Sequence, residues 1–347
     1  MPHEIAHKLN HSKCLQNRNK NQKNKNRENF NNNNNEMYHT IVKNFEPPAT
    51  FKTYPLLFAN QATNCFSNVI LQALIHLNPW FLNKLNTDNI TNKNSIQARF
   101  KEMFFKYYDL HYKSKQIYST NEFRNLVGSY FNSGRHDKYN IGQQEDCFLF
   151  FNDTIDILQF IEINVNELFE FNNIIDTSCT KCKKASTFIE AGLTSIDIHL
   201  NPNNKYTDLI DSLKFVNQSE RKCEVCKNVT EHNDHSKLLF SSENKFVLVY
   251  VHSFTRNAKE TKKIQSMVKN CNLKDYYISC VDRNLFNIKA IIIRQSNEIN
   301  SGHFKIWVKH IYLEKWLYIN DTQVSAHNNM HESLNNVVSI LFERKVV

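Results

Sequence analysis

The chain has 347 residues, of which 41% are hydrophobic, and this is enough for one large domain or two ordinary ones. No apolar run approaches the roughly 18 residues that a membrane-spanning helix requires, so we expect no membrane partner. The formal net charge is +9, but residues 1–35 hold seven Lys and Arg against two Glu, so the basic excess belongs largely to the N-terminal segment.

This N-terminal segment, residues 1–48, is rich in Asn and Lys and poor in apolar residues. Such a segment buries too little apolar surface to offset the entropy of ordering its backbone, which predicts a disordered basic tail. The run from Arg18 to Arg27 fits a nuclear import signal or a contact with nucleic acid, and it equally fits a solvated tail without function. Pro47 and Pro48 mark the predicted boundary, and residues 49–347 form one predicted domain.

Regular hydrophobic patterns begin beyond Thr53. The 3.6-residue spacing of apolar side chains predicts three helices, around residues 69–77, 97–108 and 145–158. The pattern shifts toward strands from about Glu167. Runs of β-branched and aromatic residues predict strands at Phe246 to Val251, Ile288 to Ile293 and Phe304 to Val308. Helices first and strands later indicate an α+β architecture.

Nine cysteines are present, and four of them form two C-x-x-C pairs, Cys179 with Cys182 and Cys223 with Cys226. The first ten residues lack the apolar stretch of a secretory signal, so we expect reduced thiols or metal ligands and a cytoplasmic or nuclear location. Two such pairs can present four thiolates tetrahedrally to a structural Zn²⁺. The long gap between the pairs fits two hairpin tips at the end of an antiparallel element. Four reduced thiols without metal are the alternative interpretation.

Cys65 lies where a loop meets the first predicted helix. A thiol at a helix N-terminus feels the positive end of the macrodipole, which favours the nucleophilic thiolate. A cysteine nucleophile also needs a base, and the base needs a third group that fixes its tautomer. His303 and Asn320 can fill these roles if two neighbouring antiparallel strands bring them together. A buried inert cysteine and an ordinary histidine are the alternative.

The residues around Cys65 resemble the cysteine box of the ubiquitin-specific proteases, which reads approximately G-L-x-N-x-G-N-T-C-[FY]-x-N-x-x-L-Q-x-L. The positions that match this box are Asn60, Cys65, Phe66, Asn68, Leu71, Gln72 and Leu74. Four further stretches resemble the family's other boxes in the same order, and they are Gln144 to Phe150, Lys245 to Phe254, Ser301 to Phe304 and Trp316 to Val324. The resemblance covers about residues 54–347.

The resemblance implies a deubiquitinase that cleaves after the C-terminal Gly of ubiquitin through an acyl-enzyme. The resemblance makes Cys65 the nucleophile of this enzyme and His303 its general base. Asn320 takes the place of the third triad residue, Asp321 follows it and assists, and Asn60 takes the place of the side-chain donor to the oxyanion. Ubiquitin and ubiquitinated proteins are the expected partners.

The resemblance also implies the architecture, a papain-like cysteine protease fold with a helical thumb, a β-rich palm and zinc-bearing β fingers. The fingers are expected as an insertion at about residues 170–240, with the two C-x-x-C pairs holding a structural Zn²⁺. Such a closed Cys₄ site leaves no open position for a substrate, so the metal is expected to stabilise the fingers rather than to act in the chemistry.

Two departures from the family pattern lie near the predicted site. Ala62, Thr63 and Asn64 replace the Gly-Asn-Thr that precedes the cysteine, and Leu149 replaces an acidic residue. A catalytically inactive ubiquitin-binding protein and a protease for a ubiquitin-like modifier are therefore kept as alternatives. A zinc-containing nucleic-acid binder is a third class, but the basic residues cluster in the tail, so nucleic acid is expected there at most.

Overall fold

A computed structural model describes most of the chain beyond its N-terminal segment. The described residues are 55–61, 63–77, 96–110, 116–131, 139–140, 142–160, 165–199, 216–253, 258–270, 286–296, 302–310, 315–330 and 336–345. The predicted basic tail and its boundary at Pro47 and Pro48 lie outside these ranges.

Helices dominate the first half of the described chain. They are α1 (Cys65–Ile75), α2 (Ile96–Leu110), α3 (Asn121–Phe131), α4 (Cys147–Phe160) and the short α5 (Asn166–Phe169), with α6 (Ala258–Asn270) following later. Two short strands, β1 (Leu57–Ala59) and β2 (Ile117–Ser119), pair in parallel beside them. All eleven residues of α1 are buried, which explains why apolar residues occupy more than one face of this helix. None of the helices in the described ranges combines the length and the apolar composition that a membrane crossing requires.

A seven-stranded sheet forms the second half of the described chain. Its strands are β5 (Ser195–His199), β8 (Phe246–His252), β9 (Phe286–Gln295), β10 (His303–Lys309), β11 (Trp316–Asn320), β12 (Gln323–His327) and β13 (Val337–Arg344). They lie in the order β12-β11-β10-β9-β13-β8-β5. The pairings are antiparallel except for that of β5 with β8.

Both faces of this sheet are covered. Along β8, Leu248 and Tyr250 join the core on the side of the N-terminal helices, whereas Val247 and Val249 join a second core with Ile264 of α6. Strands buried on both faces read as continuous apolar runs rather than as alternating patterns. This explains why β8 was readily predicted from its sequence.

A four-stranded antiparallel sheet extends from this body. Its strands are β3 (Phe171–Cys179), β4 (Ala185–Leu193), β6 (Val216–Lys222) and β7 (Val229–Phe240), in the order β4-β3-β7-β6. Phe171 and Phe240 anchor one end of the sheet in the second core, with ring centroids 5.6 Å apart. Cys179 ends β3 eight residues further on, about 26 Å away at the usual rise of a strand.

The α+β class predicted from the sequence is confirmed, with five of the six described helices preceding the strands of the two larger sheets. The predicted helix near Glu145 begins at Cys147 instead. The reason is that Asp146 caps it, since its Oδ1 accepts hydrogen bonds from the backbone N–H groups of Phe148 and Leu149, at 2.7 Å and 3.3 Å.

Candidate active site

Cys65 is the first residue of α1, at the end of a constrained loop. Thr63 adopts a left-handed conformation with φ of 71°, which a β-branched residue rarely does and which costs on the order of 1–2 kcal/mol. Asn64 makes no side-chain cap to the helix, because its side chain is bonded elsewhere. Cys65 itself is only 1% exposed. The backbone is therefore strained at Thr63, two residues before the predicted nucleophile.

His303 and Asn320 meet across two adjacent strands. His303 begins β10 and Asn320 ends β11, and these strands are antiparallel neighbours. His303 Nε2 lies 2.5 Å from Asn320 Oδ1. A histidine whose one ring nitrogen is held by an amide oxygen is fixed in orientation and tautomer, which leaves the other nitrogen for proton transfer.

The pKa of His303 is raised to about 8. The first cause is its hydrogen bond with the Cys65 side chain, and Asn320 and the negative charge of Asp321 add to it, while burial acts in the opposite direction. The imidazolium is therefore stabilised beside the cysteine near neutral pH. A histidine in hydrogen-bond contact with a cysteine is the base that a thiol nucleophile requires.

Asp321 lies within this network but is further from the histidine. Its Oδ2 is 3.5 Å from His303 Nε2, and its Oδ1 accepts a 2.9 Å hydrogen bond from Asn68 Nδ2. Burial raises the pKa of Asp321, and the Asn68 hydrogen bond, His303 and Asn60 oppose that rise. The side chain of Asn60 is thus bonded to Asp321 in this state of the protein.

Gln144 is a site residue to which the sequence assigned no role. Its side-chain amide contacts Cys65 Sγ, with Nε2 at 3.4 Å and Oε1 at 3.6 Å. It lies in the loop before α4, within a stretch that resembles a family box. Asn68 was also matched without a role, and it links α1 to Asp321 and to Thr120, whose hydroxyl donates to Asn68 Oδ1 at 2.8 Å. Box membership was the only signal that singled out these two side chains.

Gly302 precedes His303 with φ of 151°, a conformation that side chains rarely adopt. A Cβ at this position would lie 2.6 Å from the Cβ of Ser296 and 3.0 Å from Nε of Arg294. The neighbours that Gly302 approaches belong to the chain itself, at the end of β9. The glycine thus allows β9 and β10 to meet closely beside His303.

The four cysteines of the C-x-x-C pairs converge at the end of the four-stranded sheet. All four Sγ atoms lie within 4.8 Å of one another. Cys179 Sγ is 3.9 Å from Cys226 Sγ, and Cys182 Sγ is 3.5 Å from Cys223 Sγ. A tetrahedral ion with about 2.3 Å bonds to sulfur needs Sγ atoms about 3.8 Å apart, so the cluster fits one metal ion of the size of Zn²⁺.

The two cysteine pairs have the same backbone turn. Lys183 and Lys227, each directly after the second cysteine of its pair, have φ of 58° and 60°. Their N–H groups donate to the carbonyls of Cys179 and Cys223, at 3.0 Å and 2.8 Å. Hydrogen bonds from the turn backbone lower the pKa of Cys179 to about 5 and also lower that of Cys223. These turns therefore favour the thiolate at the first cysteine of each pair, which a metal ion requires. The pKa of Cys226 is raised instead, first by its hydrogen bond with the Cys182 sulfur.

Comparisons with known proteins agree with this geometry. The sequence model of the family described as ubiquitin carboxyl-terminal hydrolase matches residues 58–342. The structure of the SAGA Ubp8/Sgf11/Sus1/Sgf73 DUB module bound to ubiquitin aldehyde is similar to the chain, with a TM-score of 0.59 and 14% identity over 88% of this chain and 73% of that chain. The same module with a cysteine-to-alanine Ubp8, bound to monoubiquitin, gives a TM-score of 0.59 and 15% identity over 88% and 74%.

At this level of identity the structural likeness concerns the fold, and it confirms the predicted papain-like architecture. No curated protein sequence matches the chain at a significant level. The residues that the family model spans include Cys65, His303, Asn320 and the four clustered cysteines.

Proposed function

The chain belongs to the ubiquitin carboxyl-terminal hydrolase family, and on that premise we propose that it is a thiol-dependent deubiquitinase with Cys65 as its nucleophile. The observation that carries the proposal is the constellation of Cys65, His303 and Asn320, in which a cysteine at a helix N-terminus contacts a histidine held by an amide. This constellation supplies nucleophile, base and orienting group in contact.

In the proposed reaction, the Cys65 thiolate attacks the carbonyl carbon of the C-terminal Gly of ubiquitin, and a C–S bond forms. His303, as imidazolium, gives its proton to the leaving amine of the substrate as the C–N bond breaks. A water molecule then attacks the thioester, and His303 takes a proton from it. The C–S bond breaks, which releases the ubiquitin carboxylate and restores the thiolate. Asn320 keeps the imidazole oriented through both halves of the cycle.

The tetrahedral intermediate of each half carries an oxyanion that needs hydrogen-bond donors. Backbone N–H groups in the first turn of α1 point toward this region, as they do at any helix N-terminus. Asn60 is the side-chain donor that the family resemblance implies, and Gln144, with Nε2 3.4 Å from Cys65 Sγ, is a second candidate. Loss of one such donor costs about 10²–10³ in kcat, so Asn60→Ala and Gln144→Ala, compared side by side, identify the donor.

We propose a structural role for the cysteine cluster. Cys179, Cys182, Cys223 and Cys226 would hold one Zn²⁺, which supplies no chemistry because four thiolates leave no position for a substrate. The ion would join the hairpin tips and give the four-stranded sheet a fixed shape against which ubiquitin binds. Reduced thiols and bound zinc suit a reducing compartment, so we propose the cytoplasm or the nucleus as the place of action.

The test is hydrolysis of ubiquitin carrying a C-terminal fluorophore by the purified protein, with Cys65→Ala as the matched control. We expect release of the fluorophore by the wild type and none by the variant. Binding of ubiquitin by both proteins without hydrolysis by either would support an inactive ubiquitin binder instead. Hydrolysis of a ubiquitin-like modifier in preference to ubiquitin would reassign the substrate while keeping the mechanism.

A further inference from the structure

Arg124 on α3 is a charged side chain with none of its surface exposed. Arginine is almost never fully buried unless its donors are satisfied, because its charge has to be desolvated. Nothing in the catalytic mechanism proposed above uses Arg124. Its contacts, however, reach both the loop of Gln144 and the residues that flank Cys65.

The guanidinium of Arg124 holds the loop that carries Gln144. Its Nε donates to the carbonyl of Tyr139 at 2.7 Å, and its Nη2 donates to the carbonyls of Asn140 and, at 2.9 Å, Gln143. Three backbone carbonyls of one short loop thus converge on one side chain. Gln144, whose amide contacts Cys65 Sγ, is the next residue of this loop.

The same guanidinium also holds both sequence neighbours of Cys65. Its Nη1 donates to Asn64 Oδ1 at 2.7 Å, and its Cζ lies 4.9 Å from the ring centroid of Phe66. Cys65 is the residue between these two. The planar five-donor fork of arginine suits this arrangement, since a lysine has three donors on one nitrogen and lacks a plane to lay on the ring.

The charge of Arg124 is a second property of this position. Burial lowers the pKa of Arg124, while the carboxylate of Glu145 and a thiolate at Cys65 act to raise it. Arg124 therefore places a positive charge close enough to the sulfur of Cys65 for the two to interact. Arginine keeps its charge in proteins, so the effect is present throughout the working pH range.

We propose that Arg124 is a positioning residue of the active site, which fixes the Gln144 loop against the residues on either side of Cys65 and so sets the contact between Gln144 and the thiol. An effect of Arg124 on ubiquitin hydrolysis rests on the proposed function. An effect of Arg124 on the reactivity of the Cys65 thiol toward a small reagent does not.

Two substitutions separate the fork from the charge. Arg124→Met keeps most of the volume and loses both properties, whereas Arg124→Lys keeps a charge and loses the fork. Arg344 offers a matched control, since its Nη1 donates to the loop carbonyls of Ser241 and Asn244 and its Cζ lies 5.8 Å from the ring centroid of Phe286. Arg344→Met therefore removes the same kinds of contact elsewhere in the fold.

Two measurements are made on each protein. The first is the rate of Cys65 alkylation by iodoacetamide from pH 5 to 9, followed by mass spectrometry of the Cys65 peptide, which needs no ubiquitin. The second is kcat and KM with the fluorogenic ubiquitin. Circular dichroism melting reports whether each variant is folded.

We expect Arg124→Met to slow alkylation at pH 7 by about ten-fold, because a nearby cation that favours the thiolate is lost. We expect its kcat to fall by about 10²-fold with KM nearly unchanged, since misplaced catalytic groups affect the chemical step. Arg124→Lys should restore alkylation but not kcat, and Arg344→Met should leave both at the wild-type level.

A folded Arg124→Met with wild-type alkylation and kcat would overturn the proposal, and so would equal losses in Arg344→Met. If Arg124→Met does not fold, the lysine variant decides, and wild-type kcat in Arg124→Lys overturns the role of the fork. If the wild type itself hydrolyses no ubiquitin, the proposed function fails, while the alkylation profile still tests Arg124.

Discussion

The candidate active site around Cys65 and the cysteine-bearing end of the four-stranded sheet are stabilised in different ways. At the candidate active site, α1 is buried at every position, and side chains such as Asn68 and Arg124 link it to neighbouring segments. At the end of the sheet, β4 is exposed at eight of its nine residues, and Ile189 and Val229 are 62% and 66% exposed. Apolar burial therefore holds the proposed catalytic groups, whereas the sheet end leaves large apolar side chains exposed and brings four thiols together.

This difference separates the two regions functionally as well. A change at the candidate active site alters the position or reactivity of Cys65 and should appear in kcat. A change at the cysteine cluster, about 26 Å along β3 from the strand's anchor in the core, should alter a binding surface and appear in KM. Four substitution experiments can break or sharpen this division, and they follow from the largest expected effect to the smallest.

The largest difference in activity is expected between substitutions of two cysteines that each begin a helix. Cys65 begins α1 and contacts His303, whereas Cys147 begins α4 and is a buried thiol whose pKa is raised well above its ordinary value, first by burial. We expect Cys65→Ala to abolish hydrolysis while ubiquitin binding persists, and Cys147→Ala to keep most activity. Steady-state kinetics and a binding titration measure both. Full activity in Cys65→Ala would end the assignment of the nucleophile.

The next effect concerns the residue that orients the base. Asn320→Ala removes the 2.5 Å contact with His303 but not the nucleophile, so we expect kcat to fall by about 10- to 10³-fold. Asp321→Ala should be milder, because Asp321 Oδ2 lies 3.5 Å from the histidine. Kinetics of the two variants test this order directly. A larger loss in Asp321→Ala would mean that the aspartate, rather than Asn320, is the third residue of the triad.

At the sheet end, the paired substitution Cys223→Ser with Cys226→Ser removes half of the metal ligands. Two thiolates cannot hold a tetrahedral site, so we expect zinc content to fall from one ion per chain to nearly none. KM should rise several-fold with a smaller change in kcat. Elemental analysis and kinetics measure this, with Cys147→Ala as a control that keeps its zinc. Wild-type protein without zinc would show that the four thiols are merely reduced.

The smallest effect is expected from acid, which acts on the packed body rather than on the sheet end. Burial lowers the pKa of His76 to about 3 and that of His310 to about 4, from an ordinary 6.5. The unfolded chain therefore binds more protons in this interval, so stability is full above pH 6.5 and is lost as the pH falls toward 4. The positive charge of Lys289 lies near both imidazoles and lowers the two pKa values further, because it repels an imidazolium.

We expect the melting temperature of the wild type to drop by roughly 8 °C between pH 7.5 and pH 5 because of these two groups. The double variant His76→Gln with His310→Gln should lose less over the same interval. Thermal denaturation at the two pH values measures the difference. An equal drop in both proteins would place the acid sensitivity in other groups.

Much of this comparison could be predicted from the sequence, for identifiable reasons. The strand Phe246–His252 and the helix Cys65–Ile75 carry continuous or periodic apolar residues, because their burial dictates the pattern. The cysteine pairs were readable because metal ligands need fixed spacing, and their convergence on one point agrees with that prediction. The start of α4 at Cys147, rather than near residue 145, depends on the hydrogen-bonded carboxylate of Asp146, which periodicity does not reveal.

The polar contacts around Cys65 could not be predicted in the same way. Arg124 follows Phe123 in an ordinary amphipathic helix, and its sequence neighbours give no sign that its guanidinium is buried. Its partners come from residues 15–60 positions away, through side-chain geometry that the sequence does not encode locally. The contact of Gln144 with Cys65 joins residues 79 positions apart for the same reason. These long-range polar contacts could therefore be identified only from the structure.

The central claim is that Cys65 is an active nucleophile aimed at the C-terminus of ubiquitin. The most direct measurement is incubation of the full chain with ubiquitin that carries a thiol-reactive electrophile in place of its C-terminal carboxyl group, followed by mass spectrometry of the digested adduct. The account predicts one ubiquitin per chain, attached to the peptide that contains Cys65, and no adduct with Cys65→Ala. Absence of an adduct with the folded wild type, or attachment at another cysteine, would contradict it.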